Sequence, residues 1–402
     1  MRGDEQRGLS ESAGAPPPEA LWIQDPAEWA RHREAWDEVL ERSARPCVFQ
    51  TWDFLECSWL HFARPRGHAL AIIALSEGGR LVAFAPFQVS TRRQFGLPIR
   101  RLGVLAAWEA DRVPPLIAPA GREAECASAV LSCLETRAEG WDYIELRELS
   151  SADPFGRGLD GWATRTGRRC IQEPTSPSPY ALLDAGCEHG MKGLGPATRK
   201  NLRRYRRKLE AIGPCTLETL DTPDQMERAL GLYLDLESRS WKREEAQGVG
   251  KNEVNRLFYR DLLPRLASKG RAVVSLLTQG GRPIAGTIDL RLGDTAYGSH
   301  ATYDEAHASF SPGNVLNGLS FEWHAAHGVR RYELYAQFLG NKMRWASATW
   351  SNVTLRVFQT RGLRRVLLFT PGFVRATLSR RKPNADAGSG SARDPENDAD
   401  IP

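Results

Sequence analysis

No run of apolar residues in this 402-residue chain approaches the roughly 18 that a membrane-crossing helix requires. The stretch from Met1 to Glu19 is polar and proline-rich and lacks the basic-then-apolar order of an export signal, so export is not expected. Cysteine is sparse: seven residues, at 47, 57, 126, 133, 170, 187 and 215, form an odd, scattered set without a CxxC pair. That pattern argues against a zinc ribbon or a disulfide frame and predicts reduced thiols in a cytoplasmic protein with no metal.

The chain has a hydrophobic content of 41% and a charged content of 26%, the balance of a globular protein long enough for two domains. Net charge is +5, unevenly spread. The segment from Pro383 carries five acids and one Arg among Gly, Ser, Asn and Pro, so a disordered acidic tail is expected and the remainder is about +9. A partner that is anionic, or carries an anionic handle, suits that surface.

Two segments align without a gap at an offset of 202: ALAIIALSEGGRLVAFAPF from Ala69 and RAVVSLLTQGGRPIAGTIDL from Arg271. Each reads as a buried strand, a Gly-Gly-Arg turn and a second strand, with Ala83 over Ala285. Further on, GWDYIELREL (Gly140–Leu149) resembles GVRRYELYAQF (Gly328–Phe338), which sets Glu145 over Glu333. The shared order of hairpin, loop, helix, glycine and strand predicts a tandem repeat with a mixed α/β sheet. The expected organisation is a disordered N-terminus over 1–20, a first domain over 21–185, a second over 186–382 and the tail from 383.

A connection rich in turn-formers, Gln172–Gly186, is expected between the halves. An amphipathic helix follows, with Leu202, Tyr205, Leu209 and Ile212 on one face and seven basic residues between Arg199 and Lys208 on the rest. Further helices are expected from Pro223 to Arg239 and from Asn252 to Lys269. The second half then offers YDEAHASFSPGN, in which a strand ends at Tyr303-Asp304 and a helix restarts at Ser311-Pro312-Gly313-Asn314. Ser suits an N-cap and Pro the first helical position. Such a helix start presents unpaired N–H groups and partial positive charge, fit for a phosphate or an oxyanion.

Taken as a set, these motifs resemble the GNAT acyltransferases. The tandem form resembles their CelD-type branch, associated with cellulose and exopolysaccharide biosynthesis. The resemblance rests on RKNLRRYRRKLE after the linker, Trp241 closing ESRSW, PIAG in a strand, YD…FSPG before the central helix, and Lys342 and Trp345 in NKMRW. It spans roughly residues 45 to 365. It departs from the wider family in lacking the usual phosphate loop, for which SFSPGN stands in, and in having Glu333-Leu334-Tyr335 where Asp-Phe-Gly is common.

The resemblance implies a tandem GNAT-like fold and an acyl-CoA co-substrate such as acetyl-CoA. Its pyrophosphate would be held by Phe310, Ser311, Pro312, Gly313 and Asn314 without a metal. Tyr303 is then a candidate proton donor, Asp304 and Glu333 candidate bases, and Lys342 a grip on a phosphate or carboxylate; Trp241, Tyr335 and Trp345 are candidates for lining the acceptor site. His300 and His307 flank the loop as further candidate bases, whereas His324 and His327 read as helix C-terminal charge. The expected acceptor is a small-molecule, glycan-linked or lipid-linked amine. The 199–208 helix is offered to an anionic partner or a membrane surface, peripheral to the inner membrane. It lacks the interleaved aromatics of an RNA platform, which argues against nucleic acid. Two other readings stay open: a Fem-like transferase using aminoacyl-tRNA, and a GNAT-like scaffold without turnover.

Overall fold

The computed structural model describes residues 18–94, 97–106, 110, 112–240, 248–335 and 339–359. In chain order the elements are β1 (Glu19–Ile23), α1 (Pro26–Ala30), α2 (Arg33–Glu41), α3 (Trp52–Ser58), β2 (Ala69–Glu77), β3 (Arg80–Gln94), β4 (Leu97–Val104), α4 (Glu123–Thr136), β5 (Tyr143–Ser150), α5 (Pro154–Arg165), β6 (Arg169–Leu182), α6 (Pro196–Ile212), β7 (Cys215–Leu220), α7 (Met226–Ser238), α8 (Glu253–Ala267), β8 (Ala272–Gln279), β9 (Arg282–Leu292), β10 (Thr295–Tyr303), α9 (Pro312–Ala326), β11 (Arg331–Glu333), α10 (Leu339–Lys342) and β12 (Ala348–Phe358). The strands form one sheet in the order β1-β2-β3-β4-β5-β12-β6-β11-β10-β9-β8-β7.

The expected repeat is present down to its irregularities. Gly78-Gly79 and Gly280-Gly281 all have positive φ, and the two-residue turns they form pair Glu77 with Arg80 and Gln279 with Arg282. Both hairpins then shift register at the same place, after Leu75 and after Leu277, so Ala83 and Ala285 occupy equivalent ladder positions. In each half a parallel pair follows: β4 with β5, and β10 with β11. The first domain and the second are nevertheless not side by side as separate sheets. Strand β6, from the first half, pairs with β11, and β12, from the second half, pairs with β5. Each half therefore completes the other's sheet.

Strand β6 corrects the expectation of an irregular connection. Pro174, Pro177 and Pro179 cannot donate to a ladder, yet Arg169–Leu182 is extended and pairs along its length with β12. The ladder tolerates them because its register shifts opposite Trp350 and Asn352, and Asn352 Nδ2 donates to the Ser176 carbonyl at 3.0 Å and to Ser178 Oγ at 2.7 Å.

Helices cover both faces. On one, α7 and α8 pack on Val274, Leu276, Ile288 and Leu290, and the first half's Phe49, Phe54 and Phe62 join the same core. Across that core Arg265 meets Glu56 at 2.6 Å and His61 meets Asp261 at 2.8 Å, tying the halves together. On the opposite face α6 and α9 bury Leu209, Val315 and Leu316 against Leu277 and Ala285. Leu202 and Leu209 of α6 are buried as its pattern predicts, but Ile212 is exposed because it falls in the last turn, beyond its neighbours. Among the described residues no helix is long and apolar enough to cross a membrane.

Candidate functional site

Strands β10 and β11 diverge at the centre of the second half. Their parallel pairing covers Thr295–Arg331, Ala296–Tyr332 and Tyr297–Glu333 and stops there, although β10 runs on to Tyr303. At that point β10 carries a bulge: Gly298 opposes Asp289 and His300 opposes Ile288, leaving Ser299 as the extra residue. Bulges of this kind re-aim side chains where pairing ends. Beyond Tyr297 the β11-side edge of β10 has no strand partner among the described residues, which leaves an opening in the ladder between the two strands.

Helix α9 begins at the far end of that edge. Its start is not the side-chain cap the sequence suggests. Ser311 is left-handed, with φ 51° and ψ 51°, and its hydroxyl makes no cap hydrogen bond. Its carbonyl instead accepts from the Asn314 and Val315 amides at 3.0 and 3.3 Å. Pro312 has no N–H, and the first turn holds no acidic side chain. Phe310 is partly buried beside Tyr303, Val315 and Leu316, and Gly313 stands over the Tyr303 ring, where a Cβ would lie 3.5 Å from Cδ1. The corresponding helix of the first half, α4, differs in the feature that matters. Glu123 and Glu125 occupy its first turn, and Arg122 binds both Glu125 and Glu77. Those carboxylates already use the positive end of that helix; α9 keeps its own open.

Tyr303 is half-buried, and burial, with Glu305 adding, holds its phenol above the usual range, so it stays protonated as a proton donor must. Asp304 is engaged. It pairs with Arg239, and its Oδ1 accepts from the Ala306 amide at 3.0 Å as the cap of the turn Glu305–Phe310, with His307 at 4.0 Å. An ion-paired cap has little freedom to accept an acceptor's proton; its visible work is to fix the loop between β10 and α9.

Glu333, only 2% exposed, faces the α8 side of the opening. Arg112 reaches it from the first half at 2.6 Å, Arg331 at 3.1 Å, and Trp350 Nε1 donates to both oxygens at 3.2 Å. Both guanidinium groups also lie over the Trp350 ring. Its repeat counterpart Glu145 is bound in the same manner by Arg101, Arg147 and Arg356. Behind Glu333 the Cys47 thiol is pushed up to about 11 by burial, and burial with the nearby Cys47 and Glu333 holds the Tyr297 phenol well above its usual range.

The remaining candidates divide. Tyr335 follows Glu333 with φ 62° and stands 6.0 Å, ring to ring, from Phe49. Arg112, Ser311 and Tyr335 are three of the five non-glycine residues with positive φ among the described residues, and strain of this kind gathers at functional sites. Lys342 ends α10 half-buried. Trp345, expected on the acceptor side, is instead core: it is buried edge-on against Phe321 of α9 at 5.3 Å, because the turn carrying it folds under the sheet. Trp241 lies outside the described residues. His324 is not surface helix charge. It is 0% exposed, and its Nε2 meets Asp289 Oδ2 at 3.0 Å in a buried network with Tyr332, Thr287 and Ser320. His327 is exposed, stacked 3.9 Å from Trp323, at the helix end as expected.

His300 gains a partner that sequence spacing could not supply. Its Nε2 lies 2.8 Å from the hydroxyl of Tyr259, and that hydroxyl lies 3.0 Å from Ser299 Oγ. Tyr259 comes from α8, whose apolar pattern marks it only as core.

These features place the chain among known folds. Residues 196–345 match the acetyltransferase (GNAT) domain. The matched span contains α6, strands β10 and β11, α9 and the Lys342–Trp345 turn, so the second half has a GNAT-like fold, and its hairpin and parallel strand pair recur in the first half. FemX resembles it with a TM-score of 0.60 at 10% identity, over 87% of this chain and 99% of that one. The C-terminal domain of a lysylphosphatidylglycerol synthetase candidate from Agrobacterium fabrum gives 0.52 at 13% identity, over 87% and 96%. A conserved protein of unknown function from Bacteroides thetaiotaomicron gives 0.50 at 12%, over 85% and 100%. At such identities the likeness is one of fold, not of substrate. No curated protein matches the sequence.

Proposed function

We propose that the chain is an acyl-CoA-dependent acyltransferase that works through its GNAT domain and acylates an amine. The observation that carries this reading is the start of α9, uncapped by side chain and free of acids, beside a strand whose pairing has just ended. The Gly313 amide, with the positive end of the helix behind it, would hold a pyrophosphate there without a metal. The opening between β10 and β11 offers the pantetheine arm a strand edge to bond to. Tyr303, against Gly313, is the candidate donor to the departing thiolate.

The neighbouring α6 supports an anionic ligand. Its Tyr205 and Leu209 pack by Val315, Leu316 and Phe310 near the start of α9, while Lys200, Arg203, Arg206, Arg207 and Lys208 remain exposed. That basic face serves either the cofactor's ribose phosphate or an acceptor with a glycan- or lipid-linked anionic group, as the resemblance to the CelD-type branch suggests. Glu333, held between two guanidiniums, positions the acceptor side and is not the base. Thermal denaturation with acetyl-CoA tests the reading: stabilisation by a few degrees at saturating ligand supports it, and no shift over a panel of short and long acyl-CoAs counts against it.

A Fem-like transferase with an aminoacyl-tRNA donor is the second reading, favoured by the similarity to FemX over nearly the whole of both chains. Salt-sensitive binding of aminoacyl-tRNA, without stabilisation by acyl-CoA, would replace the first reading by this one.

A further inference from the structure

The bulge in β10 does more than end the pairing with β11. Gly298 sits where a Cβ would come within 2.6 Å of the Tyr332 hydroxyl, which bonds to Asp289 on the α9 side of the sheet. His300 opposes Ile288, whose side chain belongs to the core shared with α8. In a regular strand Ser299 and His300 would point to opposite faces. The extra residue turns both towards α8, where they meet the one Tyr259 hydroxyl at 3.0 and 2.8 Å. These side chains lie on the part of β10 just past Tyr297, the last residue paired with β11. Glu333 has its two oxygens taken by Arg112, Arg331 and Trp350, so the opening has no other carboxylate on β11 ready to accept a proton.

We propose that Ser299, Tyr259 and His300 form a proton relay that removes the proton from the attacking nucleophile during acyl transfer. The inference rests on the acyltransferase reading above. Tyr259 has one phenolic proton and can donate it in one direction only. With His300 neutral and accepting at Nε2, the phenol donates to the imidazole and accepts from Ser299, which leaves the Ser299 oxygen a further lone pair with which to accept a proton. As the amine nitrogen bonds to the thioester carbonyl carbon, the carbon–sulfur bond breaks and its electron pair leaves on sulfur. The nitrogen's surplus proton passes to Ser299 Oγ, the serine's own proton to Tyr259 Oη, and the phenol's to His300 Nε2. Tyr259 and Ser299 end as they began. His300, half-buried, holds one proton and returns it to solvent.

The test uses the full chain with a panel of primary amines as acceptors, reading thiol release from acetyl-CoA, and reads binding separately as the shift in melting temperature with acetyl-CoA. His300→Ala is expected to slow release about 100-fold, the usual contribution of a positioned base, while acetyl-CoA still stabilises the variant. Added imidazole is expected to restore part of the rate to His300→Ala and none to Tyr259→Phe, a response that a purely structural histidine would not give. Ser299→Ala and Tyr259→Phe, both small excisions of a hydroxyl, are expected to lower kcat with little change in KM. Binding without thiol release by the wild-type chain, release left unchanged by the three variants, or a His300→Ala deficit that imidazole does not relieve would each overturn the relay. No stabilisation of the wild-type chain by acetyl-CoA would overturn the acyl-CoA reading instead, and the relay with it.

Discussion

Arg112 and Glu333 form an ion pair of 2.6 Å across 221 residues of sequence, from the loop after the first half's β4 to the end of the second half's β11. Both side chains are largely buried, and Trp350 of the exchanged strand β12 completes the cluster. One residue from each half and one from the swapped strand thus meet beside the opening between β10 and β11. The first half supplies a buried partner to the end of the second half's β11.

That arrangement predicts strong coupling. Removing one partner of a buried pair leaves an uncompensated charge, at a cost of about 3–5 kcal/mol where no other partner remains. Glu333 keeps Arg331, so Arg112→Met is expected to cost about half of that. A double-mutant cycle of Arg112→Met with Glu333→Gln, followed by urea denaturation, should show a coupling of about 1–3 kcal/mol. Additive effects would mean that the two halves are not joined through this pair.

Glu145 predicts a pH dependence. Burial alone would raise its carboxyl, but Arg147 and Arg101, with Arg356 behind them, outweigh burial and hold it below the usual carboxylate range. A folded-state value below the unfolded one means that the contribution to stability is complete above the unfolded value, about 4.3, and fades as pH falls through the lower folded one. Glu145→Gln should therefore reduce stability at neutral pH and make the loss of stability in acid shallower. Equal slopes for wild type and variant between about pH 5 and 2 would refute this.

Gly190 and Gly193 offer a matched pair of backbone tests. Both have positive φ, 62° and 80°. A Cβ on Gly193 would meet nothing within 4 Å, whereas one on Gly190 would lie 2.4 Å from the carbonyl oxygen of Phe321 in α9. Gly193→Ala should cost about 1–2 kcal/mol, the strain of the left-handed region alone. Gly190→Ala should cost clearly more, since backbone of α9 must move away and the His189–Glu322 contacts move with it. Similar melting temperatures for the two variants would show that the turn Glu188–Gly190 does not bear on α9.

The sequence disclosed these features unevenly, and for physical reasons. The hairpins were legible because a Gly-Gly turn and buried alternation are local signals, and the repeat then located the diverging strands. Strand β6 was not, because its three prolines suggest a turn and the compensation comes from Asn352, far along the chain. His324 looked like helix-end charge, since nothing near it in sequence announces Asp289 on the strand beneath. Ser311 stood at the right position for a cap but with a left-handed backbone, which residue type alone does not reveal. The Tyr259–His300 contact depends on a one-residue bulge, and the clue to that bulge is Gly298, a glycine within a strand.

The start of α9 gives the sharpest test of function, because stability and binding should move apart. Gly313→Ala places its Cβ 3.5 Å from Tyr303, an ordinary contact, so fold and ligand response should both survive. Gly313→Glu puts a carboxylate at the positive end of a helix that has none in its first turn. By itself that should leave the fold unharmed or stabilise it by about 0.3–1 kcal/mol. The same carboxylate would stand where the pyrophosphate is to lie, and two anions cannot share those donors. Acetyl-CoA should then stabilise the wild-type chain and Gly313→Ala but not Gly313→Glu, with the apo melting temperature of the last no lower than the wild type's. A Gly313→Glu protein that responds to acetyl-CoA as strongly as the wild type would place the cofactor elsewhere.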